Sequence, residues 1–238
     1  MRLPLLPVVD AGGARIKISV QFPGRPVNVQ AWKAQVGRVP LYLLDTDVAE
    51  NEAADRRITH TLYGGDKETR IQQELILGVG GVAMVSALGI PTTVCHMNEG
   101  HSAFIQFARI MRARKEQGLP TAEATQLISA GTVFTTHTPV PAGIDQFPAD
   151  LMDKYFGSAL PGLGMTRDEL LSLGAKLPGQ SGQLFNMAIL ALRTADYTNA
   201  VSRLHADVSR RLWEESWPGL PHDEIPIDYV TNGIHVCT

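Results

Sequence analysis

The nine residues from His96 to Phe104, HMNEGHSAF, combine two histidines with an amide and a carboxylate. Such a cluster could hold a metal ion, relay a proton or bind the hydroxyl groups of a ligand. A metal site is the weaker interpretation, because His96 and His101 lie five positions apart across a predicted strand-to-helix junction without an evident third ligand. A capped helix start with buried histidines is the structural alternative. In the ligand-site interpretation, Asn98, Glu99 and His101 supply hydrogen-bond donors and acceptors.

Two further predicted strands end in the same way. In FTTHTPVPAGID a buried strand is followed by His137 and a loop rich in Pro and Gly, and in YVTNG a strand is followed by Asn232 and a glycine turn. Open α/β sheets bind ligands at the carboxyl ends of their parallel strands. Each feature also has a structural explanation, since Asn and Thr satisfy turn backbones and His can cap a helix. The three strand ends together favour a shared ligand site.

The elements that must position these residues are predicted from hydrophobic periodicity. RIKISVQF and VNVQAW alternate apolar with polar residues and RVPLYLLD is a third strand, so residues 1–45 are predicted to form a small β meander. Downstream, the strands TTVCHM, TVFTT and IDYVTNG alternate with helical segments, two of which have Asp66 and Thr166 as predicted N-caps. Residues 46–238 are therefore predicted to form a Rossmann-like parallel sheet flanked by helices, an α/β fold.

The glycine cluster GVGGVA, residues 78–83, raises an alternative. It matches the dinucleotide pattern G-x-G-x-x-A and has an acid, Glu99, about twenty residues further on. That function requires the first glycine to end a strand and a helix to start there. The apolar stripe that begins at Ile71 behind the Asp66 cap instead predicts a helix that runs through the glycines. The conformation of residues 78–83 therefore tests the hypothesis of an NAD-dependent oxidoreductase.

Composition narrows the function classes. The 238 residues carry 21 Lys and Arg against 24 Asp and Glu without a long run of like charge, so neither nucleic acid nor an anionic membrane surface is predicted as a partner. The longest apolar stretch is too short and too glycine-rich to span a membrane, and the start of the chain is a poor secretory signal. Cys95 and Cys237 give neither a disulfide framework nor a zinc spacing. These features predict a cytoplasmic protein.

Seven blocks in order carry a resemblance to a known family: LYLLDTDVAEN, LYGGDKETRIQQELILGVGG, HMNEGHSAF, FTTHTPVPAGIDQFP, FNMAILALR, NAVSRLHADVSRRLW and VTNGIHV. From about Val36 to its last residue the chain resembles the α-glucan (glycogen) phosphorylases, especially their shorter bacterial branch. The resemblance implies half of a GT-B glycosyltransferase, which contains two Rossmann domains. The implied reaction is phosphorolysis of the terminal α-1,4-linked glucose of a glucan by inorganic phosphate, giving glucose 1-phosphate. The implied cofactor is pyridoxal 5′-phosphate on a lysine.

The resemblance also assigns substrate-binding positions, which are His137, Asn232, His101, Glu99, Val201 and Asp66. In the family, the counterpart of His137 contacts the glucose and that of Asn232 bonds a sugar hydroxyl. Glu99 and His101 match positions beside the sugar, and the backbone at Val201 lines the pocket. Asp66 is a plausible substitute for an asparagine on a longer family loop, and Ala200 stands where the family has glycine.

The family's cofactor lysine and phosphate-binding residues belong to a following domain that the seven blocks do not include. We therefore expect the chain to be an internal fragment of a longer enzyme and to be inactive alone, with no catalytic, cofactor or metal residue assigned in it. A homo-oligomer of the full-length enzyme is compatible with the resemblance. The alternatives are a non-catalytic carbohydrate-binding remnant and, more distantly, the oxidoreductase. We also expect His137 to carry sugar recognition and His96, within the strand run TVCHM, to be a packed structural residue.

Overall fold

The computed structural model describes residues 4–62, 65–177 and 182–233, and the chain divides into two compact units, Met1–Pro91 and Thr92–Thr238. The end of the block VTNGIHV, the middle of the LYGGD loop and Cys237 lie outside the described residues. A domain division after residue 45 stays a prediction. Within the described residues, no helix combines the length and the apolar character needed to cross a membrane.

The first unit contains a four-stranded antiparallel sheet of β1 (Leu5–Pro7), β2 (Lys17–Phe22), β3 (Arg25–Val36) and β4 (Val39–Asp45). The long strand β3 pairs with β2, β1 and β4, and Gly24 supplies the positive φ of 73° in the turn between β2 and β3. Val20 and Phe22 of β2 are buried, whereas Ser19 and Gln21 are exposed. The predicted β meander is confirmed. Apolar and polar residues alternate in the sequence because successive side chains of a strand point to opposite faces of the sheet.

One continuous helical segment follows the sheet. Helix α1 (Lys67–Leu75) begins behind Asp66, continues through a π-helical turn (Ile76–Gly80) and ends as α2 (Gly81–Ala87). A Cβ atom on Gly80 would lie 3.3 Å from Cγ2 of Val20, so the glycine lets the helix approach strand β2 closely. Residues 78–83 are therefore helical and do not follow a strand, and the dinucleotide-binding hypothesis is wrong. The sequence did not predict the π-helical turn.

The second unit contains strands β5 (Cys95–Asn98), β6 (Thr132–Thr136), β7 (Gln146–Phe147), β8 (Phe185–Asn186), β9 (Tyr197–Ala200) and β10 (Asp228–Tyr229). Its helices are α3 (Ile105–Gln117), α4 (Thr121–Ala130), α5 (Ala149–Phe156), α6 (Leu160–Leu163), α7 (Arg167–Gly174), α8 (Met187–Arg193) and α9 (Arg203–Trp213). Four strands form a parallel sheet in the order β10-β9-β6-β5, and β7 pairs with β8 in a separate antiparallel pair. The predicted α/β class with a parallel sheet is confirmed.

The sequence did not predict the short strands β1, β7 and β8, nor strand β9 of the parallel sheet. The short run YTNA has no alternation of apolar and polar residues, so no local pattern indicates a strand. It forms because β6 pairs with it on one side and β10 on the other. Across the β6 pairing, Oγ1 of Thr135 donates to Oδ1 of Asn199 at 2.9 Å.

An aromatic core lies directly behind the HMNEGHSAF segment. Phe104 is fully buried, and its ring centroid lies 4.7 Å from that of Phe156 and 5.9 Å from that of Phe107. The rings of Phe147 and Phe185 complete the cluster at 6.3 and 6.5 Å from Phe104. Aromatic rings at these separations stabilise each other beyond their buried area. The segment with the polar cluster is thus anchored to the core at its last residue.

The predicted cap of α7 is present and makes a reciprocal capping box. Oγ1 of Thr166 accepts from the backbone N–H of Glu169 at 3.2 Å, and Oε2 of Glu169 accepts from the backbone N–H of Thr166 at 2.7 Å. Two otherwise unpaired donors at the start of the helix are satisfied in this way.

Candidate functional site

Four of the candidate residues lie at one edge of the parallel sheet. Glu99 directly follows β5, His137 follows β6 and Val201 follows β9, while Asn232 comes three residues after the end of β10. The strands are parallel, so all four residues are at the carboxyl edge. Because Thr136 pairs with Ala200, His137 and Val201 occupy the next positions on neighbouring strands. The placement expected from the sequence is observed, and it is the edge where α/β sheets bind ligands.

Glu99 has an unusual backbone conformation, with φ 67° and ψ 168°. Its N–H donates to the carbonyl oxygen of Thr135 at 3.0 Å, which extends the pairing of β5 and β6, and its own carbonyl accepts from Oγ of Ser102 at 3.0 Å. Positive φ with ψ near 180° is almost confined to glycine, and another residue there costs about 1–3 kcal/mol. The surrounding contacts must therefore stabilise Glu99 in this conformation.

The carboxylate of Glu99 supplies such contacts. Oε1 accepts from the backbone N–H groups of His137 and Thr138, the second at 2.6 Å, while Oε2 accepts from the N–H of Gly100 at 3.3 Å. Hydrogen bonds to a charged group contribute about 1.5–3 kcal/mol each, so two of them offset the backbone strain. The end of β5 is thereby tied to the loop that follows β6.

His137 combines a fixed backbone with a side chain that is open to a ligand. It is half-buried, and its imidazole makes no hydrogen bond to another residue in the part of the chain that the structure describes. The loop behind it turns tightly through Pro141–Gly143, where a Cβ atom on Gly143 would lie 2.7 Å from Cγ2 of Thr138. His101 lies on the adjacent turn Gly100–Ser102 and is also half-buried. This edge of the sheet thus carries two histidines.

Val201 and Asn232 are connected through their backbones. The carbonyl of Val201 accepts from the N–H of Asn232 at 3.1 Å, and the N–H of Val201 donates to Nδ1 of His205 at 3.4 Å. The sequence analysis did not single out His205, which is 9% exposed. Its position four residues after Val201 in NAVSRLH, at the start of a helix capped by Ser202, was the available signal. His205 holds the backbone that the resemblance assigns to the pocket wall.

Asp66 belongs to the first unit and is exposed at the start of α1. Its Oδ1 accepts from the backbone N–H of Thr69 at 2.8 Å and from Oγ1 of Thr69 at 2.9 Å. Both hydrogen bonds lower the pKa of the Asp66 carboxyl, and the one from the Thr69 backbone has the larger effect. The predicted cap is confirmed, whereas a contact of Asp66 with a ligand stays a prediction.

We expect Asp66 to titrate below the ordinary aspartate pKa of about 3.9. A pKa lowered by folding means that the ionised carboxylate stabilises the folded state above the unfolded pKa, and that this contribution is lost as the pH falls through the folded pKa. Side-chain carboxyl ¹³C shifts followed from pH 6 to pH 2 measure the midpoint. Thr69→Ala should raise the midpoint only part of the way, because the backbone donor remains. A midpoint at or above the ordinary value would contradict the cap.

His96 differs from its prediction as a packed residue. Alternation along β5 buries Met97 completely and leaves His96 exposed on the opposite face, where its Nε2 lies 2.6 Å from Oγ1 of Thr135. The expectation of burial assumed that both faces of the sheet are covered, as is usual for parallel sheets.

Metal binding was the weaker interpretation of this cluster, and the described ranges contain no group of three or more His, Cys, Asp or Glu residues placed to hold a metal ion.

An open groove lies elsewhere, along β9 and β10. Its volume is about 410 Å³, and its lining includes Tyr197, Asn199, Arg210, Asp228 and Val230 but none of the six candidate residues. We nevertheless favour the carboxyl edge, where His137, Val201 and Asn232 converge, because open α/β sheets bind ligands outside the carboxyl ends of their strands.

No protein-family model matches the chain. The maltodextrin phosphorylase of Thermococcus litoralis is 44% identical over 236 residues, which are 99% of this chain and 27% of that protein. The glycogen phosphorylase of Mycobacterium tuberculosis is 43% identical over 250 residues, 99% of this chain and 28% of that protein. The glycogen phosphorylase of Aquifex aeolicus is 35% identical over 236 residues, 99% of this chain and 33% of that protein. The chain thus spans between about a quarter and a third of the length of these relatives.

Proposed function

This chain is homologous over almost its whole length to a segment of the α-glucan phosphorylases, and we propose that it forms part of the glucan-binding cleft of such an enzyme. The enzyme is a cytoplasmic GT-B glycosyltransferase that cleaves the terminal α-1,4-linked glucose with inorganic phosphate. The observation that carries the proposal is the convergence of Glu99, His137, Val201 and Asn232 at one carboxyl edge of the sheet.

In this proposal the sugar lies across the ends of the strands. The imidazole of His137 and the amide of Asn232 hydrogen-bond sugar hydroxyls, since each offers both a donor and an acceptor. The backbone at Val201 and the side chain of His101 complete the wall, and Asp66 is also assigned to substrate binding. The tight loop after β6 holds the His137 backbone before the sugar arrives, so less entropy is lost on binding.

The chain's own residues are assigned sugar binding only. The lysines of the second unit are Lys115, Lys154 and Lys176, and none of them follows a parallel strand at the carboxyl edge. Lys176, for example, pairs with Glu215 at 2.9 Å. Among the described residues of the second unit, therefore, no lysine lies at this edge to hold pyridoxal 5′-phosphate, and no reaction step through the cofactor is assigned to them.

Titration of the ¹⁵N-labelled chain with maltohexaose tests the proposal. We expect amide shifts to change at Glu99, His137, Val201 and Asn232, because these residues share the edge at which the sugar is proposed to bind. Cellohexaose, which has β-1,4 linkages, is the matched control ligand. Its affinity, measured from the same amide shifts, should be at least about tenfold lower, a difference of about 1.4 kcal/mol.

Two outcomes would count against the proposal. Shifts confined to Tyr197, Asp228 and their neighbours would place glucan in the groove along β9 and β10 instead. Release of glucose 1-phosphate from maltohexaose and phosphate by the chain alone, above a heat-treated control, would contradict the assignment of sugar binding without catalysis.

A further inference from the structure

We propose that Glu99 is a positioning residue that acts through His137 and does not recognise the sugar itself. The inference rests on the function proposed above, in which His137 contacts the glucan. It differs from the resemblance, which places the counterpart of Glu99 beside the bound sugar. The geometry of the Glu99 carboxylate and of its backbone carries the inference.

The carboxylate is already engaged with the backbone. Oε1 accepts from two consecutive N–H groups, those of His137 and Thr138, and Oε2 accepts from Gly100. A charged acceptor that receives both N–H groups fixes the two peptide planes on either side of the His137 Cα, because both N–H vectors must point at the same oxygen. The direction in which the His137 side chain leaves the backbone is therefore set from β5, one strand away.

The backbone conformation of Glu99 indicates that this arrangement is needed locally. Of the described residues with positive φ, Glu99 is the single one that is not glycine. A glycine would satisfy the turn without strain, so the glutamate side chain must contribute something that glycine lacks. Its contacts with His137 and Thr138 are that contribution. The next residue, Gly100, packs closely against the start of α8, since a Cβ on it would lie 2.8 Å from the backbone nitrogen of Ala188.

Glu99→Gly is the decisive variant, because glycine adopts this φ freely, so the variant loses the side chain without adding backbone strain. In the sugar-free chain we expect the amides of His137 and Thr138 to exchange with solvent about tenfold faster or more, as local opening becomes easier. The amide of Cys95, which donates to the carbonyl of Gly131 at 2.9 Å within the sheet, is the internal reference and should not change. Glu99→Gln keeps a carbonyl acceptor and should restore slow exchange to within about threefold.

The affinity for maltohexaose separates positioning from direct contact. Glu99→Gly should weaken binding about tenfold, and Glu99→Gln should recover most of the loss. In a His137→Ala background, Glu99→Gly should cause no further loss, because the residue through which it acts is already absent. Additive losses in the double variant would show that Glu99 contacts the sugar independently, and would overturn the inference.

The remaining outcomes are also decisive. If the amide hydrogen exchange of His137 and Thr138 is unchanged in Glu99→Gly, Glu99 does not hold this backbone, and the inference is overturned whether or not glucan binds. A Glu99→Gly chain that does not fold would show a general structural role and overturn positioning as well. If the unaltered chain shows slow exchange at both amides but no affinity for maltohexaose, the proposed function fails. The contact of Glu99 with the His137 backbone would still hold in that case, so the two failures are distinguishable.

Discussion

Phe104→Ala is expected to lower the free energy of unfolding of the second unit by about 3–5 kcal/mol, the usual cost of removing a buried phenylalanine side chain. The ring is fully buried and contacts the rings of Phe107 and Phe156 at centroid distances of 5.9 and 4.7 Å. Its loss leaves a cavity that the fixed neighbouring rings cannot fill, so the cost of the cavity adds to the lost transfer free energy. Urea unfolding followed through the amide cross-peaks of α3 and α8 measures the effect.

Leu204→Ala on α9 is the matched control, since Leu204 is 75% exposed and should change stability by no more than about 0.5 kcal/mol. The amides of His137 and Thr138 should keep their chemical shifts in folded Leu204→Ala but move in Phe104→Ala, because Phe104 anchors the segment that carries Glu99. A loss below about 1 kcal/mol in Phe104→Ala would mean that the aromatic cluster does not anchor this segment.

The parts of the fold that could be predicted are those whose burial or capping is determined by residues close by in the sequence. Val20 and Phe22 alternate with polar residues because one face of β2 is buried and the other is exposed, and period-two alternation reports that difference directly. Asp66 and Thr166 could be assigned as caps because their side chains act on residues only three positions away.

Elements that depend on distant partners could not be predicted. YTNA becomes β9 only because strands β6 and β10 pair with it, and the pairing partners in β6 are more than sixty residues away. The exposure of His96 depends on which face of the sheet remains uncovered, which no segment of the sequence encodes locally.

The candidate site shows the same distinction. His137 and Asn232 were identified because each follows a strand and precedes a turn-forming sequence, which is a local pattern. The contacts of Glu99 could not be predicted, because its carboxylate binds backbone N–H groups 38 and 39 residues away and its positive φ leaves no local signal in the sequence. The residue type suggested a ligand contact, whereas the structure shows both oxygens engaged with backbone N–H groups.

Under the proposed function, His137→Ala in a full-length α-glucan phosphorylase that contains this segment is expected to lower kcat/KM at subsaturating glucan by about 5- to 150-fold, which corresponds to about 1–3 kcal/mol of transition-state binding. The proposal predicts this loss because the sugar hydroxyl assigned to the imidazole would be left without its partner. Stability should change by no more than about 0.5 kcal/mol, because the imidazole makes no hydrogen bond within the described residues and the backbone N–H of residue 137 still donates to Glu99.

His96→Ala is the matched control, since it removes a histidine from the neighbouring strand of the same sheet. His96 is exposed and bonds Thr135 through Nε2 at 2.6 Å, so its loss should cost about 0.5–1.5 kcal/mol of stability and leave kcat/KM within a few-fold. Thermal unfolding and initial rates of glucose 1-phosphate release, measured on both variants side by side, separate the two effects. Unchanged kcat/KM in His137→Ala would remove the loop after β6 from sugar recognition, and a larger kinetic loss in His96→Ala would move that role to the exposed face of the sheet.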